Sequence, residues 1–178
     1  MSFDISQKAM LASLRISCCG ARKHDQRVAN EVKEGYNGKD AGRFNKVLAS
    51  QESLKEIQAS VGAARSFHLD QALPWGERGE RLLPSKNYGE YNRQMRVFKQ
   101  QFENAVDEFV GDYSSVIFQA RQSLCGLFRR EDYPEASELR QKFEFRTVIN
   151  PVPCGQDFRV RVGQEEVAPP SNPISSSA

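Results

Sequence analysis

The strongest periodic signal in the chain lies between Asn87 and Leu127, where apolar residues recur every three or four positions. Tyr91, Met95, Phe98, Phe102, Ala105 and Phe109 share one helical face, a heptad-like seam. After Gly111 the seam resumes at Tyr113, Val116 or Ile117, Ala120, Leu124 and Leu127, and the extra step predicts a kink or break there. Asn87, with Glu90 three residues on, begins this helix, expected over 88–126. A second helix is predicted over 53–72. Ser53 and Glu56 have capping-box spacing, and Leu54, Ile57, Val61, Ala64, His68 and Ala72 form one stripe ahead of Pro74. His68 on such a stripe reads as a hydrogen-bonded core or boundary residue rather than a ligand or base. Antiparallel packing on 53–72 is the natural way to bury the long seam; self-association, giving a homo-oligomer, is the alternative.

Elsewhere the period is two. Met10, Ala12, Leu14, Ile16 and Cys18 share one parity, with Ser13, Arg15 and Ser17 on the other, which predicts a half-buried strand over 10–19. Residues 21–34 read as a helix closed by Gly35 and Asn37-Gly38. Pro134 suits a first helical position, with Glu135 and Glu138 complementing the start of a short helix over 134–142. Phe143, Phe145, Thr147 and Ile149 then alternate with Glu144, Arg146 and Val148, and Phe158, Val160 and Val162 alternate with Asp157, Arg159 and Arg161. Two such runs joined by the breaker-rich NPVPCGQ imply an antiparallel hairpin, with the 10–19 strand as third partner. The predicted fold class is α+β: long helices, one kinked, on a small, mostly antiparallel sheet of about three strands. A single domain over 1–166 is expected, followed by a disordered Pro/Ser-rich tail over 167–178.

The apolar fraction, 39%, suits one core rather than two. Net charge is only +2, yet residues 1–100 hold 17 Lys and Arg against 11 Asp and Glu, while residues 101–178 hold 8 against 12. That asymmetry permits a basic face, although a solvated mixed-charge surface is the better explanation. No apolar run reaches the roughly 20 residues needed to span a bilayer, and MSFDISQKAMLASL lacks the features of a secretory signal. A cytoplasmic protein with no membrane partner is therefore expected. Cys18, Cys19, Cys125 and Cys154 lack CxxC spacing and read as free thiols. Adjacent strand residues point to opposite faces, so Cys18 and Cys19 with His24 make a poor zinc set.

Basic residues supply the candidate chemistry. The segment 38–46, GKDAGRFNK, fails the Walker pattern; Lys39, Arg43 and Lys46 on a loop can still touch a phosphate backbone, although plain solvated loop charge is the better reading. Residues 73–86, read as irregular, carry Trp75 between turn residues with Arg78 and Arg81 nearby. Trp75 is a candidate partner anchor, or plugs the loop onto the core. Arg146, Arg159 and Arg161 fall on the polar face of the predicted hairpin and make the best candidate strip for nucleic acid, with a plain surface sheet face as the dull alternative. No catalytic or metal-binding constellation and no cofactor motif is recognisable. The carboxylates Glu103, Asp107 and Glu108 lie along the long helix instead of at strand ends, where a metal-dependent nuclease would group them.

Several short blocks resemble a family of proteins of tailed phages and integrative elements known as a domain of unknown function. They are Lys39–Lys46, Leu73-Pro74-Trp75-Gly76, Arg81-Leu82-Leu83-Pro84 with Asn87-Tyr88, Leu127-Phe128 with Asp132-Tyr133-Pro134, and Asp157-Phe158-Arg159-Val160. Their order and spacing span residues 10–166. Family members often lie near genes for single-strand annealing proteins, exonucleases or an AAA+ ATPase. The resemblance implies a phage accessory protein in the host cytoplasm, working in DNA recombination or replication or in an ATPase-linked complex. An inhibitor of a host defence complex is the alternative, and a nuclease ranks below both. The family's further C-terminal helical region is replaced here by the Pro/Ser tail, and the resemblance brings no catalytic residues.

Overall fold

The computed structural model describes residues 5–37, 42–76 and 79–153. In chain order its elements are strand β1 (Ala9–Ser17), strand β2 (Arg22–His24), helix α1 (Gln26–Gly35), strand β3 (Asn45–Val47), helix α2 (Lys55–Gln71), strands β4 (Leu73–Pro74) and β5 (Arg81–Pro84), helices α3 (Tyr88–Gly111), α4 (Tyr113–Leu124) and α5 (Ala136–Gln141), and strand β6 (Glu144–Pro151). Helices pack on a small antiparallel sheet, so the class is α+β. The main sheet has the order β4-β5-β1-β6, and β2 and β3 form a separate antiparallel pair.

Strand β1 pairs on both edges. Leu83 lies opposite Met10, and Phe145 lies opposite Ile16. The two-residue period therefore puts Met10, Ala12, Leu14, Ile16, Leu83, Phe145 and Ile149 in one core with the helices. The other sheet face divides in two. Ala9, Leu11 and Val152 are buried there beneath Ile5, Trp75 and Leu82. Further along the strands, Arg15, Ser17, Glu144 and Arg146 are exposed.

The seam behaves as its spacing predicts. Tyr91, Met95, Phe102 and Phe109 of α3 are buried, with Phe98 and Ala105 half-buried beside them, and Val106, outside the expected seam, is buried as well. Phe67, near the end of α2, meets Tyr91 at 6.0 Å and Phe98 at 5.7 Å between ring centres, so the start of α3 lies against the end of α2 and the helices run antiparallel. Phe102 meets Phe145 at 5.7 Å, and Phe109 meets Phe143 at 5.9 Å, which seats α3 on the sheet. His68 is buried, and its Nδ1 shares a 2.8 Å hydrogen bond with the Tyr91 hydroxyl. Burial, and then the charge of Arg81, lowers the pKa of His68, while burial pushes the Tyr91 phenol up to about 12. The pair is thus a neutral polar contact inside the core. The expected break falls where the seam slips: α3 ends at Gly111, Asp112 accepts from the Ser115 and Val116 amides, and α4 starts afresh.

Some elements differ from their sequence expectation. Residues 22–24 form β2 rather than the first turn of a helix, because Asp25 caps α1 by accepting from the Val28 amide at 3.3 Å. Ser50, not Ser53, caps the turn leading to α2, its hydroxyl accepting from the Ser53 amide at 3.1 Å. Pro134 lies ahead of α5 instead of within it. The segment 73–86 is not wholly irregular, since its two short strands extend the sheet, with the prolines at strand ends where a missing amide is tolerated. The expected strand 158–162 and the Pro/Ser tail lie outside the described residues. No described helix is long and apolar enough to cross a membrane.

Phe102 is the keystone of the aromatic cluster. Replacing Phe102 with alanine should cost about 3–5 kcal/mol in urea unfolding, whereas Phe118→Ala, on the exposed side of α4, should stay within about 0.5 kcal/mol.

Candidate nucleic-acid interface

Of the candidate cations, Lys39, Arg78, Arg159 and Arg161 lie outside the described residues. Arg43 is exposed on the approach to β3. Lys46 is a correction. It was expected on a solvated loop, yet it is the middle residue of β3, turned inward and only 2% exposed. Alternation along the three-residue strand leaves Asn45 and Val47 outside and sends Lys46 into the interior.

A buried ammonium needs opposite charge. Lys46 Nζ lies 3.1 Å from Asp25 Oδ2, is ion-paired to Asp132 Oδ2, and donates to the Leu127 carbonyl at 3.1 Å. Lys23 Nζ donates to the other Asp132 oxygen at 2.8 Å. Two cations thus balance two carboxylates. Burial opposes the charge on Lys46, but the hydrogen bonds to Asp132 and Asp25 outweigh it and the pKa rises. The hydrogen bond from Lys46 leads in holding Asp25 below the usual carboxylate range. Asp132 is also held down, with Lys23 and Lys46 prevailing over its burial. This cluster is structural, and Lys46 is not available to a phosphate.

Arg81 is also committed. Its Nε donates to the Ala72 carbonyl at 2.8 Å and its Nη2 to the Leu69 carbonyl at 3.3 Å, satisfying acceptors at the end of α2. Trp75 is half-buried and packs on the Ala9, Leu11 and Val152 cluster. Of the two readings of that residue, the plug describes its packing.

Arg146 remains, and the register gives it a companion. Arg15 lies directly opposite it across the β1–β6 ladder. Both are exposed, and neither is ion-paired among the described residues. Sequence reading placed Arg15 on the polar parity of its strand but did not bring it to Arg146. The strand period was the available signal, and the register was the missing one. Arg43 lies on the approach to the two-stranded sheet, and Arg146 on the four-stranded one.

The next cross-strand pair, Ser17 and Glu144, borders a cleft of about 810 Å³. Phe109, Tyr113, Val116, Tyr133 and Leu139 give it apolar walls, and Cys18 and Cys19 line it as well. Burial raises both thiols, Cys19 to about 11, so they are protonated at neutral pH and poor nucleophiles. Among the described residues no group of three or more His, Cys, Asp or Glu is placed to hold a metal ion.

The charge cluster yields a signed prediction. Lys46→Met leaves two half-buried carboxylates, Asp25 and Asp132, short of a partner and should lower the stability at neutral pH. Because the folded-state pKa values of Asp25 and Asp132 are depressed, their contribution is present above about pH 4 and lost as pH falls through the lowered values. Protonation also relieves the uncompensated charge in the variant. The gap between the two proteins, read by urea unfolding against pH, should therefore narrow in acid. Comparison of the chain with protein-family models, curated proteins and solved structures finds no match.

Proposed function

We propose that this protein is a non-enzymatic accessory factor that grips another macromolecule, with nucleic acid held on the open face of the four-stranded sheet. The Arg15–Arg146 cross-strand pair carries the reading. Like charges set opposite each other on a sheet destabilise it. A phosphate placed between them turns repulsion into two charge-assisted contacts, a task that the forked guanidinium suits better than an ammonium. Such contacts position a backbone and do not read sequence. The resemblance to phage proteins gives the setting: DNA recombination or replication in the host cytoplasm, alone or beside an AAA+ ATPase.

Protein contact is the second reading, directed at that ATPase or at a host defence complex. With Trp75 packed down, Phe118 supports it better. The ring is 61% exposed on α4, while Tyr113, Val116 and Ala120 of the same helix are buried. Large aromatics are favoured interface anchors.

Fluorescence anisotropy with labelled single- and double-stranded DNA tests the first reading. Saturable binding is expected at low salt, with log affinity falling linearly against log salt at a slope of about −0.7 to −0.9 per phosphate contacted. Combining Arg15→Gln with Arg146→Gln should flatten that slope by roughly 1 to 2 while leaving the unfolding midpoint equal or higher. Absence of binding to either DNA form at low salt would rule the reading out.

A further inference from the structure

The arginine pair shares its sheet face with Trp75. Ala9, Leu11, Ser13, Arg15 and Ser17 have one parity in β1 and point away from the helices, because Met10, Ala12, Leu14 and Ile16 fill the core. Trp75 packs against the Ala9, Leu11 and Val152 cluster on that outer face. It is only half-buried, so part of the indole stays open to solvent while the rest covers the strands.

Leu11, beneath the indole, and Arg15 stand roughly 13 Å apart along β1. Between them Ser13 lies opposite Val148, a row without charge. Beyond the arginines Ser17 lies opposite Glu144, whose carboxylate bounds the face at that end. The order along the strand is thus an aromatic ring, a neutral row, two guanidiniums and then an acid. A polyanion that also carries flat rings complements the stretch from the indole to the arginines.

That complementarity separates two forms of nucleic acid. The arginines can hold a phosphate of either. A duplex keeps its bases stacked inside, and laying one on an indole means breaking its stacking and pairing. A single strand already shows its bases, and every base has a face to stack. We infer that the sheet face takes single-stranded nucleic acid in preference to duplex, with a phosphate on Arg15 and Arg146 and a base a few nucleotides along on Trp75. The inference rests on the phosphate reading of the arginine pair and adds the class of strand. It needs no contact to base edges, so the preference is for strand form and not for sequence.

Trp75 is the only tryptophan in the sequence, so its emission reports this contact directly. The probes are a thymidine oligonucleotide and a duplex of the same length, titrated into the full-length protein at low salt. The oligonucleotide should quench the emission saturably and bind about tenfold tighter than the duplex. Trp75→Leu keeps an apolar cover on Ala9 and Leu11 but removes the stacking surface, and should weaken the single strand by about fivefold to a hundredfold. If that variant does not fold, the quenching and the strand preference of the wild type decide. Equal affinity for the two forms, single-strand binding that leaves the emission unchanged, or undiminished single-strand affinity in the folded variant would each overturn the inference and leave the phosphate contact standing. No binding to either form would remove both.

Discussion

The four-charge cluster around Lys46 is the constraint on which the arrangement of the smaller elements depends. Lys46 lies on a three-residue strand that has little apolar surface of its own to bury. What fixes that strand is a charged network in which every member serves another element. Asp25 is both the partner of Lys46 and the N-cap of α1. Asp132 binds both lysines and anchors the connection between α4 and α5. The Leu127 carbonyl adds a third oxygen to Lys46 from that same connection. An interior charge set is weak evidence for net stability, since desolvation offsets much of the attraction. Its consequence is geometric, because a half-formed version leaves a buried charge and is heavily penalised. The β2–β3 pair, the start of α1 and the Tyr133 segment are thereby held in one mutual placement. The cleft depends on that placement, since Lys23, Asp132 and Tyr133 all line it.

This kind of constraint is hard to see in a sequence. The α3 seam was legible because Tyr91, Met95, Phe102 and Phe109 repeat within one helix, so its period is a local property of the chain. The break at Gly111 was legible for the same reason, as a slip in that period. Strand β1 showed its two faces over nine residues. Strands of two to four residues, such as β2, β3, β4 and β5, contain too few alternations for any period to emerge. Their existence rests on pairing with partners already in place. Lys46 looked like a solvated loop cation because Asp132 is far away in the chain, and Lys23 reaches the same carboxylate across 109 residues.

The candidate interface divides along the same line. Arg146 was legible as an outward residue of an alternating strand. Its companion required the β1–β6 register, which fixes Arg15 opposite it, and no local pattern encodes that alignment. Arg81 shows the converse error. Beside Trp75 it resembled a free basic residue, but the end of α2 leaves carbonyls unpaired and a guanidinium within reach satisfies them first. A cation near helix-end acceptors in the fold is already engaged, whatever its neighbours in sequence.

The two halves of the exposed face of the main sheet are built differently. One half is sealed by Ile5, Trp75 and Leu82 over Ala9, Leu11 and Val152, the usual treatment of apolar strand surface. The other half sets arginine against arginine where a Thr–Thr or Lys–Glu pair would stabilise the ladder. Solvent screens such a pair, so its penalty is a fraction of a kcal/mol and the fold tolerates it. The α2–α3 seam and the Phe102 cluster supply stability from the opposite face, which leaves this half of the sheet free to carry charge that does not serve the fold. Burial on one side, and on the other a face where Glu144 offsets only one of two arginines, are the conditions that the proposed phosphate contact would use.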